Sequence, residues 1–188
     1  MINIPSDFNT ARAYDGSSVS ALTVGGHVCK IQGAKVEKAR SGADMLVVAF
    51  DIAEGGEFDG YYGARHERSK QYRQDAKWPG VFRAPILTKE GKTSGYFKGF
   101  ITAVEESNPG YKFTGDETLL RGKMVGFNYG EEEYLNRDNE LRVSIKPFYA
   151  VSVNHVREGI QPPPMKKLRG VPLTAQGFTE VPDEPLPF

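Results

Sequence analysis

Short stretches in which apolar and polar residues intermingle recur along this chain, a pattern typical of β-strands. Residues 27–38 have strand length, with Gly33 as a bend, and 45–53 are apolar on both faces, which predicts a buried central strand. Residues 40–44, Arg-Ser-Gly-Ala-Asp, are turn formers. These segments predict a long hairpin, and the aromatic stretch 58–65 predicts a third strand after a glycine turn.

The middle of the chain contains one amphipathic helix. From 66 to 77 the composition is rich in Glu, Arg, Lys and Gln, which indicates a short exposed helix or an ordered loop. Between 93 and 107 apolar residues recur at intervals of three and four, the spacing of a helix with one buried face. Thr93 or Ser94 would cap its start, and Asn108-Pro109-Gly110 would end it.

Two further strands, 123–130 and 140–151, would form a second hairpin that turns at 136–139. Five strands with a helix between the third and the fourth is the order of elements in an OB fold. The chain is therefore predicted to be mainly β, an OB-fold-like five-stranded antiparallel barrel with one amphipathic helix. A β-sandwich-like sheet with one packed helix is the alternative.

The length of 188 residues allows one domain with tails. Residues 1–25 read as a partly ordered arm, 26–160 as the domain, and 161–188 as a proline-rich linker with an acidic, disordered tail. Hydrophobic residues make up 39% of the chain and charged ones 26%, which is typical of a soluble globular protein.

Several functional classes find no support in the sequence. No apolar run has membrane-spanning length, and the N-terminus lacks the features of a secretion signal, so we expect a cytoplasmic protein. Cys29 is the single cysteine, and its surroundings predict a buried side chain. No zinc pattern, phosphate loop or nucleophile motif is present, and we expect neither catalytic activity nor a cofactor. Glu131-Glu132-Glu133 leaves a metal-dependent nuclease as a weaker alternative.

Charge is unevenly distributed along the chain. The 24 basic residues equal the 24 acidic ones, but the segment 171–188 holds three acids and no Lys or Arg, so the preceding residues carry a surplus of three positive charges. In the strand 140–151, Leu141, Val143 and Ile145 would face the core. Arg142, Ser144, Lys146 and Phe148 would share the other face.

Cations next to aromatic rings suit single-stranded nucleic acid, because charge follows the phosphates and every base has a face to stack on. The same interleaving occurs at Tyr61, Tyr62 and Arg65, and again from Lys77 and Trp78 to Phe82 and Arg83. A solvated polar face and a packed Trp78 are the alternatives. The candidate nucleic-acid-binding residues are Arg40, Tyr61, Tyr62, Arg65, Lys77, Trp78, Arg142, Lys146 and Phe148.

The chain ends in a carboxylate on an aromatic residue, which a pocket with a basic rim can capture. Asp183, Glu184, Leu186, Pro187 and Phe188 resemble the tip of bacterial single-stranded DNA-binding proteins, where an acidic linker ends in Asp-Asp-Ile-Pro-Phe. That resemblance implies a tail that recruits replication or recombination proteins.

The segments 39–52, 95–110 and 130–134 are similar to a family of phage and prophage proteins of Gram-positive bacteria. Its members are uncharacterised or assigned to single-stranded DNA binding. The resemblance implies a protein of the bacterial host cytoplasm that coats single-stranded DNA without strong sequence preference, with a homo-oligomer as an option. A protein-protein adaptor that binds no nucleic acid is the main alternative.

Overall fold

The computed structural model describes residues 22–53 and 56–168. In these ranges the chain forms one five-stranded antiparallel sheet and three α-helices. The strands are β1 (Gly25–Lys38), β2 (Asp44–Ile52), β3 (Val81–Pro85), β4 (Met124–Leu135) and β5 (Leu141–Val151). The helices are α1 (Tyr61–Lys70), α2 (Gly95–Ser107) and α3 (Val153–Glu158). The mainly β fold with a five-stranded antiparallel sheet is thus confirmed.

The strands lie in the order β3-β2-β1-β4-β5. β1 is the central strand, and it pairs with β2 over Cys29–Lys38 and with β4 over Gly25–Lys30. The register shifts between Ile31 and Gly33, which is a bulge at the predicted bend. Within the described ranges no pairing joins β3 to β5, so the sheet has two free edges.

The prediction of a strand at 58–65 is wrong, because Tyr61 begins α1 and the third strand is Val81–Pro85. The physical reason is a distant cap. The buried carboxylate of Asp51, near the end of β2, accepts hydrogen bonds from the N–H groups of Ile52 (2.9 Å), Tyr62 (2.8 Å) and Gly63 (2.9 Å). The N–H groups of a first helical turn have no partner inside the helix, so Asp51 stabilises a helix that local pattern does not reveal.

α2 covers the core as its periodicity predicts. Ser94 caps it by accepting from the Tyr96 N–H (3.2 Å), and the helix ends at Ser107. Phe100 is fully buried, and its ring lies 5.7 Å from that of Phe82. Other rings and the buried thiol of Cys29 complete this core, and the burial of Cys29 is confirmed.

Val143 is half exposed (50%), so its predicted place in the core is wrong. It pairs with Glu133, whereas the pairing of β1 with β4 ends at Tyr129. The outer part of the β4–β5 hairpin therefore extends past the end of β1, and among the described residues only the segment around Lys166 pairs beside it. Ile145, nearer the sheet, does pack against the core.

Beyond α3 the chain runs along β4. The Lys166 N–H donates to the Glu131 carbonyl (2.8 Å), and the Glu133 N–H donates to the Lys166 carbonyl (3.0 Å). The tip residues Asp183 to Phe188 lie outside the described residues. None of the helices in the described ranges is long and apolar enough to cross a membrane.

Candidate nucleic-acid interface

A groove of about 810 Å³ lies between the two free edges of the sheet. One wall is β3, through Val81, Phe82 and Arg83, and the other is the stretch 143–148 of β5. α1 and the loop that precedes β3 supply further lining. The groove therefore exists because the sheet remains open at these two strands.

Aromatic rings form much of the groove surface. Tyr62 and Phe82 are buried (6% and 4% exposed) and belong to its floor. Tyr96 (59% exposed) and Tyr134 (40%) stand out from the wall. The other rings in the lining are the exposed Tyr96 and Tyr134 and the partly buried Tyr61, Trp78 and Phe148.

Three cations, Arg65, Arg83 and Lys146, line the groove, and no Asp or Glu is among the described residues that do. Lys146 donates to the Glu132 carboxylate (2.8 Å) outside the groove. The pKa of Glu37 is lowered, first by a hydrogen bond from Lys35 and to a smaller extent by the charges of Arg83 and Lys77. The lining itself thus contains three positive charges, of which Lys146 is paired with Glu132.

Trp78 is held firmly although part of its ring is open. Its indole N–H donates to the Phe50 carbonyl (2.9 Å), and its ring lies 5.2 Å from the ring of His66 on α1. The loop fixes it further, since the Phe50 N–H donates to the Gly80 carbonyl (2.9 Å). Trp78 is thus a packed anchor that also lines the groove, and its stacking on a base stays a prediction.

α1 brings Tyr61 and Arg65 to the groove. The helix begins after Gly60, whose φ of 67° is in the left-handed region that favours glycine, and Gly60 has no side chain with which to cap the helix. Asp51 on β2 supplies the acceptor instead. The buried carboxylate of Asp51 therefore fixes the start of α1, and with it the positions of Tyr61 and Arg65 in the groove.

The structure brings six of the nine candidate residues to the groove: Tyr61, Tyr62, Arg65, Trp78, Lys146 and Phe148. Three lie elsewhere. Arg40 is exposed in the β1–β2 turn, Lys77 is exposed next to Trp78, and Arg142 pairs with Glu140 at 2.6 Å. Tyr62 is too buried to stack on a base.

Sequence reasoning missed Tyr96 and Tyr134 as groove residues and left Arg83 out of the candidate set. Tyr96 falls on the apolar periodicity of α2, which assigns it to the core. Its position in the first turn of the helix leaves it exposed instead. For Arg83 the sequence did contain a signal, because Arg83 follows Phe82 in the stretch where aromatic and basic residues lie side by side.

The acidic run at 131–133 is occupied by contacts within the chain. Glu132 accepts from Lys146 and from Lys166, which lowers the pKa of Glu132. Glu133 accepts from the Leu168 N–H (3.0 Å). In residues 22–53 and 56–168 no group of three His, Cys, Asp or Glu side chains is placed to hold a metal ion.

Behind the groove floor lies a cluster of buried ionisable groups. The hydroxyls of Tyr62 and Tyr129 are 3.2 Å apart, and burial raises the pKa of Tyr62 to about 12. Burial also raises the pKa of the Cys29 thiol. A thiol that is inaccessible and protonated at neutral pH has a structural rather than a nucleophilic character.

Comparison with known proteins adds no identity to this geometry. No protein-family model matches the chain. No curated protein matches it either.

Proposed function

We propose that this protein binds single-stranded DNA in the groove between β3 and β5 without strong sequence preference. The observation that carries the proposal is the lining of the groove. Partly or largely exposed aromatic residues line it together with Arg65, Arg83 and Lys146, and no acid is among the described lining residues. Rings stack on any base and cations follow the phosphates, so this combination suits an unpaired strand.

The same lining argues against a duplex as the preferred ligand. Stacking on a side chain requires a base with a free face, which a paired and stacked duplex offers only at its ends. The proposal therefore includes a preference for single strands over double strands of the same length.

We further propose that the body is an OB fold whose barrel is open between β3 and β5. The strand order β3-β2-β1-β4-β5 becomes a closed five-stranded ring if the two outer strands meet, and α2 lies between the third and fourth strands. OB folds bind oligonucleotides on the face of strands 2 and 3. In such a fold Arg83 would lie on that face, since it is in register with Val47, which in turn pairs with Lys35.

The tail and the cellular setting rest on resemblance. Asp183, Glu184, Leu186, Pro187 and Phe188 would recruit replication or recombination proteins in the cytoplasm of a bacterial host, in line with the phage and prophage family. A homo-oligomer formed through a sheet edge would have to pair at the parts of β3 or β5 away from Pro85 and Pro147.

A titration with labelled oligo-dT tests the proposal, with a duplex of equal length as control. Trp78 is the only tryptophan in the chain and it lines the groove, so its fluorescence reports occupancy without a label. We expect tight binding of the single strand, quenching of Trp78, and weakening between about 50 and 200 mM salt. No binding at low salt would leave the adaptor as the better account.

Variants locate the binding surface. Arg83→Ala and Lys146→Ala should each weaken binding and reduce the salt slope by about 0.7, the value for one lost phosphate contact on a single strand. Arg121→Ala is the matched control, because Arg121 is exposed and does not line the groove. Equal losses in all three variants would point to nonspecific attraction.

A further inference from the structure

One face of β4 contacts both β5 and the segment that follows α3. Residues 160–168, which we call the strap, run along β4 after α3 ends. Asn128, Gly130 and Glu132 alternate along β4, so their side-chain positions share one face of the strand. At each of these three positions a residue of the strap and a residue of β5 approach the same residue of β4.

Asn128 is the first of these links, and it is fully buried. Its side-chain amide donates to the Gln161 carbonyl of the strap (2.9 Å) and to the Tyr149 hydroxyl of β5 (2.8 Å). A buried amide costs free energy unless its hydrogen bonds are made, so this residue favours a docked strap.

Gly130 is the second link, and it acts through its lack of a side chain. A Cβ atom at this position would lie 2.7 Å from the side chain of Pro163 in the strap and 2.7 Å from the ring of Phe148. Phe148 belongs to the lining of the groove. The glycine therefore allows the strap and a groove residue to pack closely over β4.

Glu132 is the third link, and it is charged. Its carboxylate accepts from Lys146 at Oε2 (2.8 Å) and from Lys166 of the strap at Oε1. Lys146 lines the groove. The two ammonium groups share one carboxylate and repel each other, so each weakens the attraction between that carboxylate and the other. A docked Lys166 thereby leaves Lys146 freer to bind a phosphate.

We propose that the strap and the groove are energetically coupled across β4: a docked strap strengthens single-strand binding, and a bound strand stabilises the docked strap. The inference rests on the proposed function, because it concerns the regulation of the same groove. The coupling is reciprocal, since two events that favour each other do so by the same factor. A partner that captured the strap would therefore loosen the hold of the groove on the DNA.

Lys166→Ala tests the inference, with Lys167→Ala as the matched control. Both lysines are exposed, and each substitution removes one positive charge from the strap. Lys166 pairs with Glu132, whereas Lys167 makes no ion pair with it within the part of the chain that the structure describes. Alanine keeps the backbone bonds at position 166, so both variants should melt like the wild type. Each is titrated with oligo-dT at about 50 mM salt.

We expect Lys166→Ala to weaken binding of oligo-dT about two- to fivefold more than Lys167→Ala does, the range for one exposed ion pair. The difference should vanish when both substitutions are made in the Glu132→Gln protein, where no carboxylate is shared. Equal losses in the two variants would overturn the inference and leave groove binding intact. A difference that persists with Glu132→Gln would also overturn it, because Lys166 would then contact the DNA itself.

Hydrogen exchange tests the reverse direction in the wild-type protein. The Lys166 N–H donates to the Glu131 carbonyl (2.8 Å) and the Glu133 N–H to the Lys166 carbonyl (3.0 Å), so both amides report the docked strap. Oligo-dT should slow their exchange and leave that of Arg121, which does not line the groove, unchanged. Unchanged exchange at the strap, or equal slowing at all three amides, would overturn the inference. If the wild-type protein binds no oligomer, the proposed function and this inference fall together.

Discussion

Asp51→Asn is the substitution for which the structure gives the clearest energetic expectation. The Asp51 carboxylate accepts from the Ile52 and Tyr62 N–H groups at Oδ1 and from the Gly63 N–H at Oδ2 (2.9 Å). An amide has one acceptor oxygen, so one position would place an NH2 group against an N–H donor. Losing one charge-assisted hydrogen bond costs about 1.5–3 kcal/mol, and the other two are weakened. We expect a total loss of about 2–4 kcal/mol.

Urea unfolding followed by Trp78 fluorescence measures this loss, since the Trp78 ring approaches α1 beside Gly63. Asp59→Asn is the matched control, because Asp59 is exposed in the turn before α1, and we expect a change below about 0.5 kcal/mol. Hydrogen exchange at the Tyr62 and Gly63 amides should also accelerate in Asp51→Asn. Stability within about 0.5 kcal/mol of the wild type would refute the view of Asp51 as the cap of α1.

Three further predictions concern other parts of the sheet. Gly80→Ala should cost at least about 2 kcal/mol in the same urea assay, because the added Cβ would lie 2.4 Å from the Phe50 carbonyl oxygen. Glu132→Gln should tighten oligo-dT binding about two- to fivefold at low salt by releasing Lys146 and Lys166 from their shared carboxylate partner, whereas unchanged or weaker binding would contradict the view that this carboxylate competes with DNA for Lys146. Burial raises the pKa of Tyr62 from 10.0 to about 12, so the unfolded chain ionises first and the free energy of unfolding should fall between these values. Tyr62→Phe should make that fall shallower in urea titrations at about pH 8 and pH 11.

The strands that the sequence predicts correctly are those whose pattern matches their burial. β2 is apolar on both faces, and most of its residues are buried. It appears as Asp44–Ile52. α2 has a cap, a periodic face and a stop signal, and it appears as Gly95–Ser107. These elements depend on local chemistry, so local reasoning finds them.

The third strand depends on contacts that are distant in sequence. α1 requires Asp51 ten residues before its start, and no pattern within 58–70 contains that information. β3 has five residues and ends at Pro85, so it has too little alternation to stand out from a loop. Its position follows from pairing with β2, a tertiary contact.

Which residues share the groove surface was predictable from the sequence only where they belong to one strand. Lys146 and Phe148 could be placed on one surface from strand alternation, and both line the groove. Tyr134 and Tyr96 come from a hairpin and a helix whose relative positions only the packed fold defines. Residue types therefore indicated the chemistry of the surface, and the fold determined which residues share it.

The open edges of the sheet have a feature that bears on the kind of ligand they accept. Each outer strand contains a proline, Pro85 in β3 and Pro147 in β5, and neither contributes an N–H group. A free strand edge normally invites pairing with another strand, and proline is one means of preventing it. A peptide partner that adds a strand would therefore find an interrupted ladder at either edge. A ligand held by side chains, such as the proposed single strand, would not depend on that ladder, and rings and cations line the groove between the two edges.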